Sequence, residues 1–312
     1  MEILKLKPVF KDYIWGGNRL VTDFGFNTGL DKTAEGWMLA CHKDGMNTVD
    51  GGSLDGKPLG EIVDGISGNN AKRFPYFPVL IKLIDAFNNL SVQVHPDDEY
   101  ARRVENEFGK TEMWYVLDAA EGAELIYGFK EAISKEEFRA SIEKGTLLDK
   151  LNRVKVKKGD VFFIEAGTVH AIGKGALIAE IQQNSNCTYR VYDYGRLGND
   201  GKPRELHIDK AVDVSVCEPP KYGTKPMGEE IRFDGYVSQL LTSCSLFTVN
   251  KYKIKKAVKL FADENSFHHV LVIDGRGEIE GRKAKKGDSF LVPAGYGEYL
   301  VSGEIEILIT NI

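Results

Sequence analysis

Apolar residues fall along much of this chain in short runs of about four to eight, the length of a strand, with polar and turn residues between them. The runs 77–84, 125–129, 161–164, 246–252, 270–273 and 304–309 are rich in β-branched and aromatic residues and are separated by Gly, Asn and Asp. That pattern predicts an all-β protein of sandwich or barrel type. Helical signals are few. The clearest is 134–145, where Ser134 can cap, Glu137 sits at the capping-box position and Gly145 can end the helix. Residues 96–108, with Asp97 and Asp98 near the start, form a second candidate.

The pattern repeats. The segment 157–167, KKGDVFFIEAG, aligns without gaps with 285–295, KKGDSFLVPAG: a Gly-Asp turn, a short apolar strand and an Ala-Gly turn in the same order. Duplication of a small β domain is the simplest account. Continued, the alignment puts His170 of the first copy opposite Glu298 of the second, so only the first copy is built to hold a metal. The Pro-containing stretch 217–223 is the best interdomain linker. It predicts domains at 1–218, with a short helical insertion near 131–150, and at 219–312.

Composition changes this picture little. The net charge of −5 and the lack of a basic run give nucleic acid no footing. No apolar run approaches the length of a membrane span, and the scattered cysteines Cys41, Cys187, Cys217 and Cys244 read as reduced, mostly buried thiols. The expectation is a cytoplasmic protein that uses neither nucleic acid nor membrane. An anionic substrate would still need only a local basic pocket.

The chemistry concentrates in one constellation. Gln93 and His95 lie two apart in 90–97, LSVQVHPD, and on a strand both side chains project from one face. Lys110 and Glu112 have the same spacing ahead of the apolar run 113–117, where an unpaired carboxylate would be costly to bury. His170, in a Gly-Thr-Val-His turn, completes a set of two imidazoles, one carboxylate and one amide oxygen. Such a donor set suits a borderline divalent ion, zinc first, then manganese, cobalt or iron. Lys110 reads equally as a solvated turn lysine or a site residue, and Arg190, between Tyr189 and Tyr192, as a stacked arginine or one that stabilises an oxyanion or binds phosphate. His42, His207 and the pair His268-His269 have no comparable company and read as structural.

With the run 77–86, FPVLIKLIDA, leading into LSVQVHPD, and with KTEMWYVLD at 110–118 and the GTVH turn at 167–170, the whole pattern resembles type I mannose-6-phosphate isomerase in its short bacterial form. The match runs from Trp15-Gly16-Gly17 to about Arg196, and the second repeat fits the same architecture. The resemblance implies two cupin-type jelly-roll barrels, one zinc ion per chain in the first barrel, and interconversion of mannose 6-phosphate and fructose 6-phosphate. It implies Gln93, His95, Glu112 and His170 as metal ligands, and Lys110, Glu180 and Arg190 as catalytic residues. Ser91 and Lys82 would bind phosphate, and Trp15 would stand near the site. Without the resemblance, Glu180 and Lys82 would default to solvated strand residues, Ser91 to a turn and Trp15 to core. Two positions depart from the family pattern: Gly109 stands where some members have a site histidine, and Ile172 where others have a tyrosine.

An aldose-to-ketose shift needs a base for a carbon-bound proton and a positive group for the enediolate oxygen. Arg190 suits the second task, while Lys110 and Glu180 both remain open for the first. Competing readings are another metal-dependent sugar-phosphate isomerase on the same scaffold, a cupin oxygenase, and a non-catalytic sugar-binding cupin. The amide donor beside His95, with Lys110 and Arg190, argues against the oxygenase.

Overall fold

The computed structural model describes residues 1–198 and 201–312. The chain is mostly β, with its strands in antiparallel sheets of ten, six, five and two strands among the described residues. The predicted runs fall on strands: Val79–Asp85, Glu124–Phe129, Val161–Ile164, Thr248–Ile254, His268–Ile279 and Gly297–Asn311. The last two are much longer than expected, because both run on as a ladder from His269↔Thr310 to Ile279↔Val301. Periodicity alone does not reach into the glycine-rich, solvent-exposed half of that hairpin.

The six-stranded sheet has the edge-to-edge order Val161–Ile164, Glu112–Ala119, Ala176–Gln183, Val79–Asp85, Glu35–Leu39 and Val9–Lys11. Strands 79–85 and 176–183 are buried at every position, as expected of central strands covered on both faces. The five-stranded sheet, in the order Leu151–Lys155, Glu124–Phe129, His170–Ala171, Val92–Val94 and Tyr189–Tyr192, faces it. Trp114 of the first sheet meets the His170 ring of the second edge-on, with centroids 5.3 Å apart. Leu125, Tyr127 and Ile172 on one side pack with Ile84, Val116 and Ile178 on the other.

Both predicted helices form. Lys135–Glu143 starts at a full capping box between Ser134 and Glu137 and ends at Gly145, whose φ is 71°. The helix 98–104 is shorter than expected and is capped by Asp97, which accepts from the Tyr100 backbone N–H at 2.9 Å. A helix at Ile208–Val214 had no clear sequence signal, since its first residue follows an uncapped His207.

The repeat is structural as well as textual. In each copy the aspartate accepts from the first lysine's backbone N–H, at 2.9 Å for Asp160 and Lys157 and at 3.0 Å for Asp288 and Lys285. The glycine between takes a left-handed φ, 95° at Gly159 and 90° at Gly287, which a side chain would disfavour. Register then matches position to position: Ile164 pairs with Glu112, and its counterpart Val292 pairs with His268. The ten-stranded sheet of the second copy also recruits the chain's first strand, Leu4–Lys7, which pairs with Ser289–Val292 through Leu4↔Leu291.

Candidate active site

Strand register assembles the site. On the five-stranded sheet, Gln93 pairs with His170 on one side and with Arg190 on the other, so three side chains from distant parts of the chain share one face. His95 follows directly, one residue beyond the strand's end. On the opposing sheet, Glu180 is paired with both Lys82 and Trp114, while Trp37 is paired with Lys82. Glu112 stands two residues before Trp114 and so projects from the same face.

His95, Glu112 and His170 are buried, with one ligand atom of each within 4.8 Å of the others. The Glu112 oxygens lie 3.6 Å from His95 Nε2 and 3.4 Å from His170 Nε2. Each imidazole faces a backbone carbonyl through Nδ1, His95 that of Cys187 and His170 that of Thr168, both at 2.8 Å. Donation there places the proton on Nδ1 and leaves the Nε2 lone pairs aimed at the centre. Burial first, and then Lys110, holds His95 well below the usual imidazole range, and burial takes His170 to about 4. Both are therefore neutral ligand-type imidazoles.

Glu112 supplies the sharpest observation. Both its carboxylate oxygens are fully buried, and the Lys110 ammonium, 2.9 Å from Oε2, is the one protein donor near them among the described residues. Burial and the neighbouring Glu180 raise its carboxyl above the usual range, against the pull of Lys110 and Lys82. A buried carboxylate with a single ammonium on one oxygen, faced by two imidazole lone pairs, leaves acceptor capacity that a divalent cation satisfies. Gln93 completes it. Its Nε2 lies 3.5 Å from His170 Nε2, and rotation of the amide about its last bond exchanges that nitrogen for Oε1.

Above this centre opens a cavity of about 280 Å³, lined among others by Trp15, Lys82, Ser91, Gln93, Lys110, Glu180 and Arg190. All the expected substrate and catalytic positions thus reach one space. Glu180 and Lys82 are buried, contrary to their default as solvated strand residues. Lys82 lies 3.3 Å from Glu180 and 3.6 Å from Glu35, so its ammonium is bracketed by two carboxylates. Burial lowers its pKa, but Glu35, Glu180 and Glu112 outweigh that and raise it. Glu180 also accepts from Trp114 Nε1 at 2.9 Å, and Lys110, Lys82 and this bond outweigh burial to keep its carboxyl below the usual range. Arg190 is fixed by donation from Nε to Ser91 Oγ at 3.3 Å and from Nη1 to the Glu205 carbonyl at 3.0 Å.

Sequence reasoning missed Tyr13, Glu35, Asn186, Thr188 and Arg204, all on the cavity wall. Glu35 carried a readable signal, a lone carboxylate ahead of Trp37-Met38-Leu39, the same kind that singled out Glu112. Arg204 carried none, since it reaches the wall from outside any named strand or helix. The departure at Gly109 has a backbone cause: a side chain there would meet the main chain of Asp97 and Asp98 at 2.4 to 2.5 Å. Ile172 is buried and lines the cavity.

Comparison with known proteins agrees with this geometry. The type I phosphomannose isomerase catalytic-domain model matches residues 3–130, and a mannose-6-phosphate isomerase cupin-domain model matches residues 237–312. The chain is 41% identical to mannose-6-phosphate isomerase ManA of Bacillus subtilis strain 168, across 100% of this chain and 99% of that one. It is 39% identical to a mannose-6-phosphate isomerase of Streptococcus mutans, covering 99% and 98%. The crystal structure of the Bacillus subtilis mannose 6-phosphate isomerase superposes with a TM-score of 0.92 at 37% identity, over 100% of both chains. At 17% identity, the apo mannose 6-phosphate isomerase of Salmonella typhimurium shares the fold, with a TM-score of 0.76 over 99% of both chains. Relatives this similar over the full length make the chain a member of the type I mannose-6-phosphate isomerase family.

Proposed function

We propose that this chain interconverts mannose 6-phosphate and fructose 6-phosphate in the cavity between its five- and six-stranded sheets. The observation that carries the reading is Glu112, a fully buried carboxylate met by one ammonium and faced by two imidazole lone pairs, next to a cavity lined by Lys110, Glu180 and Arg190. Membership of the family supplies the substrate.

In this reading Gln93, His95, Glu112 and His170 hold one zinc-class ion, which when bound polarises substrate oxygens as a Lewis acid. The protein's own groups do the rest. Lys110 Nζ, within 3.1 Å of His95 Nε2 and on the cavity wall, carries the proton between C1 and C2. Glu180 is less suited to that work: Lys82 lies 3.3 Å from Oε1 and Trp114 occupies Oε2, so it serves as the fixed counter-charge that orients Lys82. Arg190, immobilised on Ser91 and the Glu205 carbonyl, presents its guanidinium to the enediolate oxygen. Trp15 bounds the sugar, while Ser91 and Lys82 belong to the same wall.

The architecture is read with it as two cupin-type jelly rolls at 1–218 and 219–312, the second without metal and completed by the strand Leu4–Lys7. No described helix is long and apolar enough to cross a membrane, and a cytoplasmic location is the reading that a sugar phosphate substrate supports. A coupled assay of mannose 6-phosphate isomerisation is the test. Activity should appear, vanish with chelator and return on adding zinc. Its absence from metal-reconstituted protein would overturn the assignment.

A further inference from the structure

The cavity is electrically polarised. Its base is acidic: Lys82 is outnumbered by Glu35 and Glu180, and Glu112 lies beside Lys110. The wall around Arg190 is the reverse. Asp193, nearly buried, is shared by Arg196 and Arg204, and Arg190 feels Arg204, Asp193 and Arg196 in turn, after the larger effect of its own burial. Three guanidiniums against Asp193 and the exposed Glu205 leave a surplus of one positive charge.

These arginines are not equivalent. Arg196 is turned to the Asn89 carbonyl and is not on the cavity wall. Arg190 is committed to Ser91 and the Glu205 carbonyl. Arg204 lines the cavity and grips Asp193 along one edge only, Nε to Oδ2 at 2.7 Å and Nη2 to Oδ1 at 2.6 Å. A guanidinium has five donors in a planar fork, and this grip uses two. The outer edge, with Nη1 making no hydrogen bond among the described residues, keeps the geometry that receives a second oxyanion in a bidentate manner.

We propose that Arg204, held in place by Asp193, is a specificity-determining residue that engages the phosphoryl group of the substrate. Resting on the isomerase reading above, this deepens it. A dianion is attracted to the arginine wall, where the outer edge of Arg204 is open to it, so the sugar is aligned with its phosphate at Arg204 and its carbonyl end at Lys110. Lys82, already neutralised by two carboxylates, contributes less to phosphate binding than its charge suggests.

The test compares wild type with Arg204→Gln, Arg204→Lys and Asp193→Asn in metal-loaded protein. It measures kcat and KM for mannose 6-phosphate, competitive inhibition by inorganic phosphate, and metal content. Losing one charge-assisted bidentate contact should raise KM for mannose 6-phosphate and the inhibition constant of phosphate together, by about tenfold or more. Turnover at saturation should fall less than about threefold, because the contact is equally present in ground and transition states. Lysine should recover part of the affinity, and Asp193→Asn should weaken both constants by a smaller factor through looser positioning. Arg204→Gln that leaves both constants within about twofold of wild type, or lowers kcat alone, overturns the proposal. Wild-type protein that binds phosphate through Arg204 but does not isomerise mannose 6-phosphate would leave this assignment standing and sink the isomerase reading, so the two failures are separable.

Discussion

The two copies of the repeat share a turn, a strand and a register, yet their interiors have gone opposite ways. Where the first sheet places Glu112, the second places His268, whose Nδ1 meets Tyr299 Oη at 2.8 Å. His170 is buried on the first copy's metal face, but its aligned partner Glu298 is exposed and paired with Lys259 at 2.8 Å. Its neighbour Tyr299 points inward instead. The two aligned positions thus face opposite ways, and in a strand neighbouring side chains point to opposite faces. The remaining interior of the second copy is Val270, Val272, Phe290, Val292, Val301 and Ile307, a hydrocarbon core. One scaffold can spend its interior on cohesion or on chemistry, and here each copy does one.

Breaking the contrast at its centre should have the largest effect. His170→Ala should remove metal and activity together, on the order of a thousandfold or more, whereas Glu298→Ala should leave both nearly unchanged; metal analysis beside the coupled assay decides. Equal losses in the two variants would mean that both copies carry function.

Arg190→Ala comes next. With the guanidinium gone from the enediolate, kcat should fall on the order of a hundredfold at retained metal content, with solvent deuterium exchange at C2 slowed in step. A weaker KM at full kcat would move Arg190 into the phosphate wall beside Arg204.

The second copy predicts a stability effect without a catalytic one. Ile307→Ala, in a fully buried core position, should cost about 2–5 kcal/mol in denaturant unfolding while the folded enzyme keeps its kcat and KM. Smallest, and opposite in sign, is the effect of making the first copy resemble the second. Replacing Lys110 and Glu112 together by methionine should abolish activity yet leave the metal-free protein as stable as before or up to about 1–4 kcal/mol more so, because a buried ion pair recovers its desolvation cost poorly. A marked loss of stability would show that the pair holds the fold together.

Much of this contrast was legible in the chain. A short apolar run located the strand Val79–Asp85, the capping box located the helix at Lys135–Glu143, and the spacing of Gln93, His95, Lys110 and Glu112 singled out the segments that meet in the candidate site. What stayed hidden depends on pairing between remote segments. That Lys82 and Glu180 are buried partners follows from their register across two central strands, which a solvated default for charged residues cannot anticipate. Arg204 acquires its place only through Asp193, and the hairpin of 268–279 with 297–311 extends through glycines that carry no hydrophobic signal.

The strand Leu4–Lys7 joins segments remote in sequence, since Leu4 lies opposite Leu291 while Leu6 lies opposite Val49. During synthesis this strand therefore waits with one edge unpaired until Ser289–Val292 has left the ribosome, and only then can that part of the ten-stranded sheet form. A nascent chain stalled before Ser289 would hold its metal-binding half beside an open, apolar sheet edge, a natural handle for chaperones and for other copies in the same condition. Loss of Leu4–Lys7 or of Ser289–Val292 should therefore produce the same lesion.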